Sequence, residues 1–160
     1  MSTTSRLQPL SALLACAALA LGSPAAHAAI TSCTVSAIGV AFGTYTPMQA
    51  TALDMNGTIN IACTGVTGRN TVTIDLSTGA SNNYLNRTLT AGAATLGYNL
   101  YFDAAYTQVW GNGTGGSVVG SATIRRRTPN ASLPVYGAIA ARQDPAPGSY
   151  ADTILVSVNY

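Results

Sequence analysis

Short runs of alternating apolar and polar residues recur along the chain from residue 33 onward. Residues 33–37 place Cys33, Val35 and Ala37 on one face. Residues 58–63 place Ile59, Ile61 and Cys63 together, and residues 71–76 do the same for Val72, Ile74 and Leu76. A period of two is the signature of a half-buried strand. Val40 to Tyr45 continues the first run as a short extended piece after Gly39, and further strands are predicted at 84–90, 95–102, 117–124 and 133–140. The clearest alternation is the last one, residues 153–160, where Ile154, Val156, Val158 and Tyr160 share a face. Thr, Val, Ile and Tyr fill the runs, and Gly, Asn and Pro punctuate them.

Seven to nine strands at regular spacing, with turn signals between them, predict an all-β antiparallel sandwich. No fixed-period repeat suggests a solenoid or propeller. The glycine-rich stretch 111–116 lacks both a lysine and a following helix, so it reads as a loop rather than a phosphate cradle.

The first 28 residues break the pattern. Arg6 is followed by an apolar run over 10–21, broken by Gly22 and Pro24, and Ala26-His27-Ala28 offers a small-x-small cleavage site. This is the form of a secretory signal peptide. The run is shorter than the roughly 20 residues of a membrane-spanning helix, and no later stretch would span a membrane. The expected organisation is a signal peptide over 1–28 and one domain over 29–160.

This division changes what the composition means. Charged residues are 8% of the chain, against roughly 25% in ordinary soluble domains. Residues 29–160 contain no His, Lys or Glu; their charges are six arginines and five aspartates. Catalysis usually draws on the missing types or on a metal, so no catalytic residue, metal or cofactor is expected. The balance lacks the basic excess of a nucleic-acid binder. Cys33 and Cys63, the two cysteines remaining in an exported chain, read as one disulfide. Closing that loop contributes roughly 3–4 kcal/mol on the chain-entropy model. Zinc and Cys-x-x-Cys redox chemistry lack their ligand sets.

The C-terminal run raises a further expectation. Residues 153–160 carry no charged side chain, although an exposed apolar edge is normally blunted by charge, Pro or a bulge. Either an internal strand covers this edge, or another chain adds one.

An ordered set of segments then points to a family. Cys33-Thr-Val-Ser opens the domain, followed by Phe42-Gly-Thr-Tyr45 and by residues 57–63 with the second cysteine. Residues 96–105 precede Val109-Trp-Gly-Asn-Gly113, and residues 135–139 and 148–160 close the set. Over residues 29–160 the chain resembles the spore coat protein U domain family, which includes the subunits of archaic chaperone–usher pili. The resemblance implies an incomplete immunoglobulin-like sandwich lacking its last strand. It implies three kinds of partner: a periplasmic pilus chaperone, an outer-membrane usher and other pilus subunits. It also implies export through the periplasm to the cell surface, for adhesion and biofilm formation. The groove for the donated strand would lie beside Ile154, Val156, Val158 and Tyr160. Polymerising members carry a donor segment before the first cysteine, whereas Ala29-Ile-Thr-Ser32 is short for one. This fits a fibre end or a non-polymerising member. The alternatives are a self-complete extracellular or spore coat protein, and a tip-type adhesin that binds sugars or surfaces.

The remaining features carry bland readings beside sharper ones. Arg125, Arg126 and Arg127 form the one charge cluster, either a solvated loop or a contact for an anionic surface. Trp110 and the eight tyrosines are either packing residues or a sugar-stacking face. The aspartates lack calcium-loop spacing and give little basis for a two-carboxylate glycosidase. Four Asn-x-Ser/Thr sites, at Asn56, Asn86, Asn112 and Asn130, read as turn residues.

Overall fold

The computed structural model describes residues 29–160, so the signal-peptide reading of 1–28 lies outside the described residues. Eight strands follow in order: β1 (Ser32–Ile38), β2 (Leu53–Thr64), β3 (Arg69–Leu76), β4 (Arg87–Ala91), β5 (Ala94–Tyr101), β6 (Gly120–Arg125), β7 (Asn130–Ile139) and β8 (Val156–Asn159). A single 3₁₀ turn, Gly79–Ser81, lies between β3 and β4. Two antiparallel sheets face each other. One has the order β1-β2-β7-β5-β4, the other β6-β3-β8. The fold is the antiparallel sandwich expected from the alternation.

The core forms where the inward positions of the two sheets meet. Ile59, Ile61 and Cys63 of β2 are buried, as are Val72, Ile74 and Leu76 of β3, together with Leu96, Tyr98, Leu100, Ile124, Leu133, Val135 and Ile139. Cys33 and Cys63 stand directly opposite each other in the β1–β2 ladder and form a disulfide. The bridge ties an edge strand to its one neighbour within the same sheet.

Two elements differ from the sequence expectation. Residues 40–45 make no ladder, because they cross over the inner face of the larger sheet instead of joining its edge. Gly57 and Gly137 permit that approach. A Cβ on Gly57 would lie 2.6 Å from the Ile38 carbonyl oxygen, and one on Gly137 would lie 2.7 Å from Val40 and 2.9 Å from Phe42. The C-terminal run forms a ladder only over Val156–Asn159. Before it, Leu155 bonds to Ser77 and Thr153 donates to the Asp152 side chain. Among the described residues the run has a ladder partner on one side alone, β3.

Candidate functional site: an open groove between β1 and β8

Each strand of a sheet presents a row of N–H and C=O groups on either side. The outer edge of β4 is met by Ala151, whose N–H and C=O both bond to Thr90. The two edges on the opposite flank of the sandwich differ. β1 pairs with β2 alone and β8 with β3 alone, so among the described residues no ladder joins β1 to β8. The two strands lie alongside each other without bonding.

The side chains along this flank are incompletely covered. Val35 and Ala37 lie opposite Ile61 and Ile59 and so point to the inner side, yet Val35 is 39% exposed and Ala37 is exposed as well. Ile154, Val156 and Val158 pack against the core but stay only half-buried. Between the two edges opens a cleft of about 210 Å³ that reaches the buried side chains of Ile59, Leu76, Leu100 and Val135. The hydrophobic core is therefore open along the place where one more strand would close the smaller sheet. Ile154 and Val156 line the cleft. Val158 continues their face toward the C-terminus, and Tyr160 follows the last laddered residue at 58% exposure.

A polar scaffold that the sequence did not single out holds the segment before β8. Asp152 stands at one end of the cleft. Its Oδ2 accepts a hydrogen bond from the Tyr98 hydroxyl at 2.7 Å, and its Oδ1 accepts from the N–H groups of Ala80 at 3.0 Å and Thr153 at 2.8 Å. Burial pushes the Tyr98 phenol well above its ordinary range, and the bond to Asp152 adds to the shift. Arg87 lies fully buried beneath the same region. It donates to the carbonyl of Ser77 from Nε at 3.1 Å and Nη2 at 2.7 Å, to that of Trp110 at 2.8 Å, and to Oδ1 of Asn99 at 2.8 Å. Ser77 in turn exchanges backbone and side-chain bonds with Leu155. The buried guanidinium thus braces the loop against which the C-terminal segment is fixed. Burial lowers its pKa from the ordinary arginine value.

Other sequence candidates fall elsewhere. Trp110 is fully buried, donates Nε1–H to the Ile74 carbonyl at 2.8 Å and packs edge-on against Phe102. It cannot stack on a sugar. Tyr101, Tyr106 and Tyr136 make two edge-on pairs with ring centroids 5.4 and 6.1 Å apart. Arg125, Arg126 and Arg127 lie at the β6–β7 turn, exposed and apart from the cleft lining. No group of three or more His, Cys, Asp or Glu among the described residues is placed to hold a metal ion. No described helix is long and apolar enough to cross a membrane.

A family model of the spore coat protein U domain matches residues 21–157. The chain belongs to that family. Its match covers every strand of the sandwich except the last residues of β8. No curated protein is close enough to match by sequence. Among solved structures, the domain is similar to a chain in the CsuC–CsuE chaperone–tip adhesion subunit pre-assembly complex from the archaic chaperone–usher Csu pili of Acinetobacter baumannii. The TM-score is 0.56 at 23% identity, over 81% of this chain. The chain spans 39% of the length of the chain it matches. At that identity the likeness is one of fold. The spore coat protein U domain is a structural rather than an enzymatic family.

Proposed function

We propose that the chain is a structural subunit of a bacterial surface pilus, assembled through a periplasmic chaperone and an outer-membrane usher by donor-strand complementation. The observation that carries this reading is the open flank between β1 and β8. There the core lies bare beside two strand edges that have no ladder partner among the described residues. An added strand would supply main-chain hydrogen bonds to the free edge and alternate side chains to the cleft. Ile154, Val156, Val158 and Tyr160 are its contact row, with Val35 and Ala37 opposite. Family membership supports the reading, and so does the fold likeness to a chain from a chaperone–subunit complex. On this reading residues 1–28 are a removable signal peptide, the mature domain is 29–160, and the protein reaches the cell surface to serve adhesion and biofilm formation without catalysing a reaction.

The test is to express residues 29–160 alone and together with the cognate chaperone. The expected result is a soluble complex with the chaperone and an aggregating or loosely folded chain without it. A stable, soluble monomer that unfolds cooperatively on its own would overturn the reading and favour a self-complete coat protein.

A further inference from the structure

The β3–β6 register brings together basic residues that the sequence keeps apart. Arg69 opens β3 and stands directly opposite Arg125, which closes β6. Arg126 and Arg127 follow as the two residues of a tight turn. It is closed by the Arg125 N–H donating to Thr128 O at 3.1 Å and the Thr128 N–H donating to Arg125 O at 2.9 Å. All four side chains are exposed. Four of the six arginines in residues 29–160 therefore gather at one end of the sandwich. The segments that meet there, 29–34, 64–71 and 121–132, contain no aspartate.

The fold does not require this cluster. Like charges directly opposite each other across a ladder destabilise the pair. Two-residue hairpin turns favour Asn-Gly or Asp-Gly because both positions take positive φ, and neither Arg126 nor Arg127 has a positive φ. The backbone therefore has no need of arginine at either position.

The neighbouring surface indicates a ligand class. Because Val72, Ile74 and Ile124 point into the core, the residues between them share the outer face. That face runs in register from Arg69–Arg125 to Thr71–Thr123 and then Thr73–Ser121; beyond it Asn159, beside Thr73, donates its side-chain amide to Oδ2 of Asp75 at 3.1 Å. A guanidinium pair thus heads a strip of hydroxyl groups that ends at the Asn159–Asp75 pair. Guanidinium forks take carboxylate or sulfate groups in bidentate fashion, and hydroxyls and amides match sugar hydroxyls. The strip and the turn contain no aromatic side chain for base stacking and no apolar anchor for a bilayer.

We propose that this end of the molecule binds an acidic polysaccharide, with Arg69, Arg125, Arg126 and Arg127 holding its anionic groups and the Thr–Ser strip its hydroxyls. The site shares no residue with the β1–β8 cleft, and its test does not depend on donor-strand assembly.

The experiment measures binding of the secreted protein, with its chaperone if the two co-purify, to dextran sulfate, polygalacturonate and neutral dextran over a series of salt concentrations. The expected result is binding to one or both polyanions, weakening as salt rises, and none to neutral dextran. The R126Q/R127Q turn variant should lower affinity by roughly tenfold or more, the scale of a lost charge-assisted contact, and R69Q/R125Q should do likewise. Thermal unfolding should be unchanged or raised, since like charges are removed. Failure to bind either polyanion would overturn the proposal, as would equal binding by a variant lacking all four arginines. Low-salt self-association abolished by the same variants, without polyanion binding, would instead assign this end to contact with a second copy.

Discussion

Arg87 occupies an inward position of β4, opposite Tyr98, with its guanidinium sealed from water. A buried charge is tolerated only where hydrogen bonds replace its hydration, and here three acceptors do so. Truncating it leaves the Ser77 and Trp110 carbonyls and the Asn99 amide oxygen without that donor. Arg87→Ala is therefore expected to cost about 3 kcal/mol or more, read as a lowered urea midpoint of the chaperone complex. Arg87→Lys should recover little, because an ammonium cannot reproduce the fork. Tyr98 gives a pH signature. Its folded-state pKa is raised above the unfolded value of about 10, so its contribution is fully present below that pH. It is lost as the pH rises from there toward the folded value. Urea midpoints of the wild-type protein in its chaperone complex should fall above about pH 10, and those of Tyr98→Phe in the same complex should fall less. Equal slopes for the two proteins would show that Tyr98 does not set the alkaline limit. Arg87 did not stand out in the sequence. Arg87 is a lone charge in a short polar run, and only the strand register reveals that it faces the core.

At the scale of elements, the strands were legible because a period of two survives wherever one face is buried. Ile59, Ile61, Val72, Ile74 and Leu76 all lie buried where the alternation put them. Two features were not legible. Residues 40–45 have the composition of a strand, but their path is set by the close approach that Gly57 and Gly137 allow. The Arg69–Arg125 pair depends on a ladder between segments more than fifty residues apart, which local pattern does not encode. The strand most affected by a single bond is β1. It has one ladder neighbour and exposed side chains along nearly its whole length, and the Cys33–Cys63 bridge holds it there. Replacing both cysteines with serine should cost roughly 2–5 kcal/mol, the usual range for a native disulfide in a small secreted domain. The loss should concentrate in β1, seen as faster amide exchange over 32–38 than in β5 or β7. Uniform acceleration across the sandwich would show that the bridge stabilises the whole fold rather than this edge.

At the scale of the molecule, the described sandwich is open along the flank between β1 and β8. Ala151 meets β4 at Thr90, the core closes around Trp110, and among the described residues the flank between β1 and β8 exposes apolar side chains beside two edges without a ladder between them. The lack of charge in residues 153–160 fits this arrangement, since an edge meant to be paired needs no defence against pairing. A partner that binds the folded chain and not the unfolded one adds stability in proportion to its occupancy, so the missing strand should govern both solubility and rigidity. The most direct test is amide hydrogen exchange on the free protein and on its complex with the chaperone. The expected result is slow exchange in β2, β3 and β7 in the complex, partial protection of those strands in the loosely folded free chain, and protection of β1 and β8 confined to the complex. Full protection of β1 and β8 in the free protein, unchanged on adding the chaperone, would contradict it.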